Sequence, residues 1–180
     1  MKASKTYLKT ALIQSWMNIM GNRGEFRDLK KETALVFKNE IPREVCINIC
    51  KRIDNVTNED TNELIWRDNT GSDTRILSFE ALIPEYLEYF RIPNRIKAID
   101  EYLGIKTRSW FLMANRVLPK PGNLGSGGGF HRDSPYSHQV KCIWYMSDVS
   151  SENGPFCYVP GTNNSVFRNR DKYPLGQYRF

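Results

Sequence analysis

His131 and Asp133 stand two residues apart at the end of the run Gly125-Ser-Gly-Gly-Gly-Phe-His-Arg-Asp-Ser134. In an extended strand, residues i and i+2 point to the same face, so an imidazole and a carboxylate would project side by side. That makes two adjacent corners of a metal site. Neutral imidazole with carboxylate suits Fe(II), and two histidines plus one carboxylate on one face of the metal is the arrangement of non-haem iron oxygenases. His-x-Asp alone recurs by chance. The segment that follows it decides its weight.

Lys141-Cys-Ile-Trp-Tyr-Met146 is aromatic and β-branched enough to read as a buried strand. Glu152-Asn-Gly-Pro155 is turn chemistry, with Asn153-Gly154 suited to positive φ. Phe156 to Val159 reads as a second strand, ended by Pro160-Gly161. The chain therefore runs His-x-Asp, strand, turn, strand.

This succession resembles the phytanoyl-CoA dioxygenase family: His-Arg-Asp-Ser134, a strand ending in Ser-Asp-Val149, then Glu-Asn-Gly-Pro155 and a strand ending in Val-Pro-Gly-Thr162. The close match runs from Phe111 to Thr162. The resemblance implies a double-stranded β-helix, a cupin-like jelly roll, binding Fe(II) and 2-oxoglutarate and hydroxylating a small molecule. His131 and Asp133 are the implied metal ligands. The family pattern Pro-Gly-Ser-His stands here as Pro160-Gly-Thr-Asn163, and that histidine is not a ligand. The family's third ligand is a later histidine, followed by an arginine that grips the distal carboxylate of 2-oxoglutarate. The 180 residues hold two histidines, His131 and His138, so the sequence reads as a fragment or a degenerate copy. His138 lies in a loop beside Pro135 and Ser137 and suits solvent or substrate better than a ligand position.

Two further residues, Trp144 and Asn115, carry over by position. Trp144 matches an aromatic that lines the pocket, with ordinary core packing as the alternative. Asn115 and Met113 share a face by strand parity, and the Asn115 amide suits a 2-oxoglutarate carboxylate or, equally, a strand end. Arg132 points away from its neighbours. Arg116 and Lys141 are candidate anion contacts. The glycine loop Gly122 to Gly129 lacks Gly-Lys-Ser/Thr and opens no helix, which excludes a P-loop and leaves a mobile loop or lid beside the motif.

The elements that must carry these residues come in a set order. Apolar residues at helical spacing make Met1 to Met20 an amphipathic helix, packed on its own domain or offered to a partner. A short strand is expected over Thr33 to Phe37, and a helix over Arg43 to Ile53 opened by Pro42. Leu64 to Trp66 reads as a strand and Asp68 to Asp73 as a polar turn. Phe79 to Phe90 and Ile92 to Leu103 read as helices, the second closed by Gly104, and Trp110 to Leu118 as a strand. The fold class is mostly β with N-terminal helices, α+β, as an incomplete double-stranded β-helix. It forms one domain over residues 1–180: a helix-rich support over 1–104, then the first part of the β-helix over 105–180. Asn163 to Phe180 is expected to lack strand partners.

Composition bounds the rest. A 40% hydrophobic, 26% charged chain of this length is globular with a real core. A formal charge of +6 suits an anionic small-molecule substrate, yet the basic residues form no stripe interleaved with stacking aromatics, so nucleic acid is not expected. No CxxC joins Cys46, Cys50, Cys142 and Cys157, which read as reduced, packed thiols. No secretory leader or bilayer-spanning run is visible, so no membrane partner and a cytoplasmic location are expected. The remaining alternatives are a catalytically inactive binding module of the same family and another cupin-like metal-binding protein.

Overall fold

The computed structural model describes residues 12–13, 15–59, 63–121, 130–132, 140–162 and 178–179, with Arg132, Tyr178 and Arg179 as backbone. Among the described residues the α-helices are α1 (residues 15–20), α2 (Leu29–Glu32), α3 (Arg43–Thr57) and α4 (Pro93–Leu103). The strands are β1 (Ile65–Arg67), β2 (Asp73–Ile76), β3 (Ala114–Val117), β4 (His131–Arg132) and β5 (Tyr178–Arg179).

β1, β2 and β3 form one antiparallel sheet in that order. Its register aligns Ile65, Ile76 and Ala114 in one row and Trp66, Arg75 and Asn115 in the next. Neighbouring rows face opposite sides of a pleated sheet. The first row is apolar and joins a core with Ile49 and Val56 of α3, Phe79 and Ile83. Ile49, Ile76 and Ile83 are fully buried. The second row stays open, with Trp66 and Asn115 exposed. The sheet is thus backed by helix on one side and uncovered among the described residues on the other.

α3 follows Pro42 and runs past Ile53 to Thr57, because Val56 continues the stripe of Val45, Ile49 and Ile53 onto the sheet. Its C-terminal end is tied to the sheet edge. Arg67 donates to the Thr57 carbonyl at 2.7 Å, and Arg116 to the Thr57 hydroxyl at 2.9 Å. The helix expected over Phe79 to Phe90 is two 3₁₀ turns, Phe79–Leu82 and Pro84–Tyr89. Pro84 cannot donate to the preceding turn, and the chain reverses at Ile83 to bury that side chain. α4 ends as expected, with Gly104 in the left-handed region at φ 71°.

The described part of the N-terminal helix docks on that end of α4. Trp16 Nε1 donates to the Gly104 carbonyl at 3.0 Å, and the Asn22 amide to the Tyr102 carbonyl at 2.8 Å. A Cβ on Gly21 would lie 2.4 Å from the Tyr102 oxygen, so only glycine lets the two backbones meet. This contact favours packing on the helix's own domain, although Leu12 and Ile19 remain exposed.

Three expected strands carry no ladder. Thr33 to Phe37, Lys141 to Met146 and Phe156 to Val159 are assigned to no strand among the described residues. Alternation alone does not make a strand; a hydrogen-bonded neighbour must lie alongside. Residues 141–146 keep strand-like parity even so. Trp144 and Met146 turn inward while Ile143 and Tyr145 are half exposed. The expectation of packed thiols in these segments is corrected, since Cys142 and Cys157 are exposed. Cys46 and Cys50 on α3 are partly buried, and burial pushes the Cys50 thiol up, with Asp54 and Cys46 adding to the effect. All four cysteines are free. The expected lack of strand partners at the C-terminal end is also corrected at one point, because Tyr178–Arg179 pairs with β4. Residues 163–177 and 180 lie outside the described residues. No helix among the described residues is long and apolar enough to cross a membrane.

Candidate metal and cosubstrate site

β4 places His131 in a two-residue antiparallel ladder, with His131 opposite Arg179 and Arg132 opposite Tyr178. The ladder fixes the backbone at His131, and its side chain is half-buried. Asp133, the glycine loop 122–129 and His138 lie outside the described residues. No group of three or more His, Cys, Asp or Glu side chains gathers among the described residues. The donor chemistry fits Fe(II): a nitrogen donor on a ladder, with a carboxylate two residues further along the chain.

Asn115 lies in β3, directly across from Arg75 of β2, which in turn lies across from Trp66 of β1. Its side chain belongs to the open row and is exposed. Met113 immediately precedes β3 and is exposed. The two residues are therefore neighbours on the uncovered side of the sheet, not in the core. Trp144 is half-buried and meets Phe90 edge-on, with ring centroids 5.1 Å apart at 78°. That contact ties the segment that follows the His-x-Asp motif to Phe90, which packs at the edge of the core. Arg116 is engaged by Thr57 and by Asp54 at 3.6 Å, which makes it a structural tie between β3 and α3. Lys141 is exposed.

The open row contains a charged group that the sequence reading passed over. Arg75 lies 4.7 Å over the Trp66 ring and grips one Asp73 oxygen through Nε at 3.0 Å and a terminal nitrogen at 2.6 Å. Asp73 is buried, and its other oxygen, Oδ1, has no hydrogen-bond partner among the described residues. A buried carboxylate oxygen without a donor is costly, and such groups concentrate where function requires them. The signal was present in the alternation Asp73-Thr-Arg75, which puts both charges on one face once the segment is read as a strand.

The turn before β2 is built on Asp68. Its carboxylate accepts from the Thr70 hydroxyl at 2.6 Å, the Ser72 amide at 2.7 Å, the Ser72 hydroxyl at 3.0 Å and the Asp73 amide at 3.1 Å. The Thr70 hydroxyl first, then the Asp73 amide and Ser72, hold the Asp68 carboxyl well below the usual carboxylate range. This turn sets the β1–β2 register and so aligns Trp66 with Arg75.

A family model for phytanoyl-CoA dioxygenase (PhyH) matches residues 34–179. The matched region takes in α3, the three-stranded sheet, α4, the His-x-Asp motif and β5. Comparison with curated proteins and with solved structures gave no match.

Proposed function

The chain belongs to the phytanoyl-CoA dioxygenase family, and from that membership we propose that it is a non-haem Fe(II)- and 2-oxoglutarate-dependent oxygenase acting on a small molecule. The observation that carries the reading is the family match across residues 34–179, which includes His131 and Asp133. Iron with 2-oxoglutarate supplies the oxidising power for hydroxylating a C–H bond. The chain's own residues hold and orient. His131 presents an imidazole nitrogen from β4, and Asp133 would offset part of the metal's charge. Asn115 donates its side-chain amide to a 2-oxoglutarate carboxylate on the open side of the sheet. Met113 and Trp66 give that side apolar surface that excludes water. Trp144 holds the segment behind the motif through Phe90. The proposed architecture is a double-stranded β-helix in which the open row of β1–β3 faces the site. Cytoplasmic location is part of the same proposal.

A second reading is a family member that binds metal or cosubstrate without turnover. The two readings separate in one assay, succinate formation from 2-oxoglutarate with Fe(II), ascorbate and oxygen. Succinate formation that Asp133→Ala abolishes supports the oxygenase. Metal or 2-oxoglutarate binding without succinate supports the binding module.

A further inference from the structure

Apart from the His-x-Asp motif, six residues line one surface groove of about 380 Å³: Arg91, Ile96, Thr107, Arg108, Ser109 and Trp110. Arg91 closes the 3₁₀ turn before α4, its amide bonded to the Leu87 carbonyl at 2.8 Å. Ile96 sits on α4, and the other four form the extended segment after it. Asp100 pins this segment by accepting both the Thr107 amide at 2.7 Å and the Thr107 hydroxyl at 2.6 Å. Thr107 is thereby a positioning residue, its proton already used.

The arginines of this groove differ from five that are engaged, while Arg27 and Arg43 share their lack of a side-chain partner among the described residues. Arg52, Arg67, Arg75, Arg95 and Arg116 each donate to a carboxylate, carbonyl or hydroxyl. The Arg91 and Arg108 side chains engage no partner among the described residues, and no carboxylate lines the groove. Ser109 keeps its hydroxyl uncommitted among those residues as well. Two exposed guanidinium groups line the one groove, and a guanidinium fork matches phosphate oxygens in pairs. Trp110 adds a ring that is 38% exposed, and Ile96 an apolar surface. An aromatic face beside paired arginines suits a planar ring carried on a phosphate. The volume lies in the range of small-molecule sites.

We propose that this groove binds a nucleoside diphosphate, the phosphates between Arg91, Arg108 and Ser109 and the base on Trp110. The proposal uses no residue of the iron site and stands independently of the oxygenase reading. The test is calorimetric titration of the whole chain with ADP, adenosine and pyrophosphate. ADP is expected to bind saturably at one site, more tightly than adenosine or pyrophosphate. The double variant Arg91→Ala, Arg108→Ala should weaken ADP by at least about tenfold, because both charge-assisted forks are lost. Arg108→Lys keeps the charge without the fork and should fall between. Trp110→Ala should weaken ADP and leave pyrophosphate unchanged. These side chains are exposed, and an unchanged thermal midpoint shows that the variants fold. The proposal is overturned by absence of saturable ADP binding, by equal affinity in the double variant, or by pyrophosphate binding as tightly as ADP.

Discussion

Replacing Ile76 with alanine tests the sheet that positions Asn115. Ile76 is fully buried in β2, between Ile65 and Ala114 across the ladder and against the α3 core. The substitution removes three carbons. At about 0.8 kcal/mol per buried carbon the transfer loss is about 2.4 kcal/mol. An unfilled hole of roughly 75 Å³, at about 24 cal/mol per Å³, adds about 1.8 kcal/mol. The sum, about 4 kcal/mol, is an upper value because neighbours relax inward. At about 2–4 °C per kcal/mol for a chain of this size, the thermal midpoint should fall by roughly 10 °C. Val117→Ala is the control. Val117 is in β3 and 49% exposed, so its loss should stay below about 1 kcal/mol. The assay is urea unfolding followed by tryptophan fluorescence for both variants. Equal destabilisation, or a loss under about 1 kcal/mol for Ile76→Ala, would refute the assignment of the buried face and put Asn115 on the wrong side.

Other outcomes follow from the same contacts. Gly21→Ala should separate α1 from the end of α4, because the added carbon meets the Tyr102 and Met17 oxygens at 2.4 and 2.6 Å; the cost is about 1–3 kcal/mol, and hydrogen exchange at the Asn22 amide should accelerate. Asp68→Asn should destabilise at neutral pH. The folded-state pKa of Asp68 is lowered, so its contribution is present above the ordinary aspartate value of about 3.9 and fades as pH falls below it. The gap between variant and parent, read from urea midpoints, should therefore shrink between pH 7 and pH 3, and a gap that widens on acidification contradicts the turn. Arg75→Met should free the buried Asp73 carboxylate of its partner and destabilise by several times the amount expected of an exposed ion pair, and Asp73→Asn combined with it should recover part of the loss.

Helices were legible where apolar spacing and punctuation agreed. Pro42 and the stripe Val45, Ile49, Ile53 announced α3, and Gly104 announced the end of α4. The 3₁₀ turns were not legible, because burial of Ile83 overrides the helical period around Pro84. Strands were legible only where the sequence also supplied a neighbour. Asp68 and its hydrogen bonds close β1 onto β2, whereas Lys141 to Met146 joins no ladder among the described residues despite its composition. At the candidate site, the sequence pointed to His131 and to the shared face of Met113 and Asn115. It did not reveal Arg75 and Asp73, since a segment read as a polar turn hides the parity that puts two charges together. Nor did it reveal that Arg179 would lie opposite His131, a pairing set by two segments far apart in the chain.

With only two histidines in the sequence, the metal claim can be read from imidazole signals. Co(II) added to ¹⁵N-labelled protein at neutral pH should broaden the His131 resonances at substoichiometric metal, before those of His138. Asp133→Ala should weaken this selective broadening, and His131→Ala should abolish tight uptake while His138→Ala leaves it nearly unchanged. Broadening that begins at His138, or Co(II) affinity unaltered by both His131→Ala and Asp133→Ala, would contradict the assignment of the iron site.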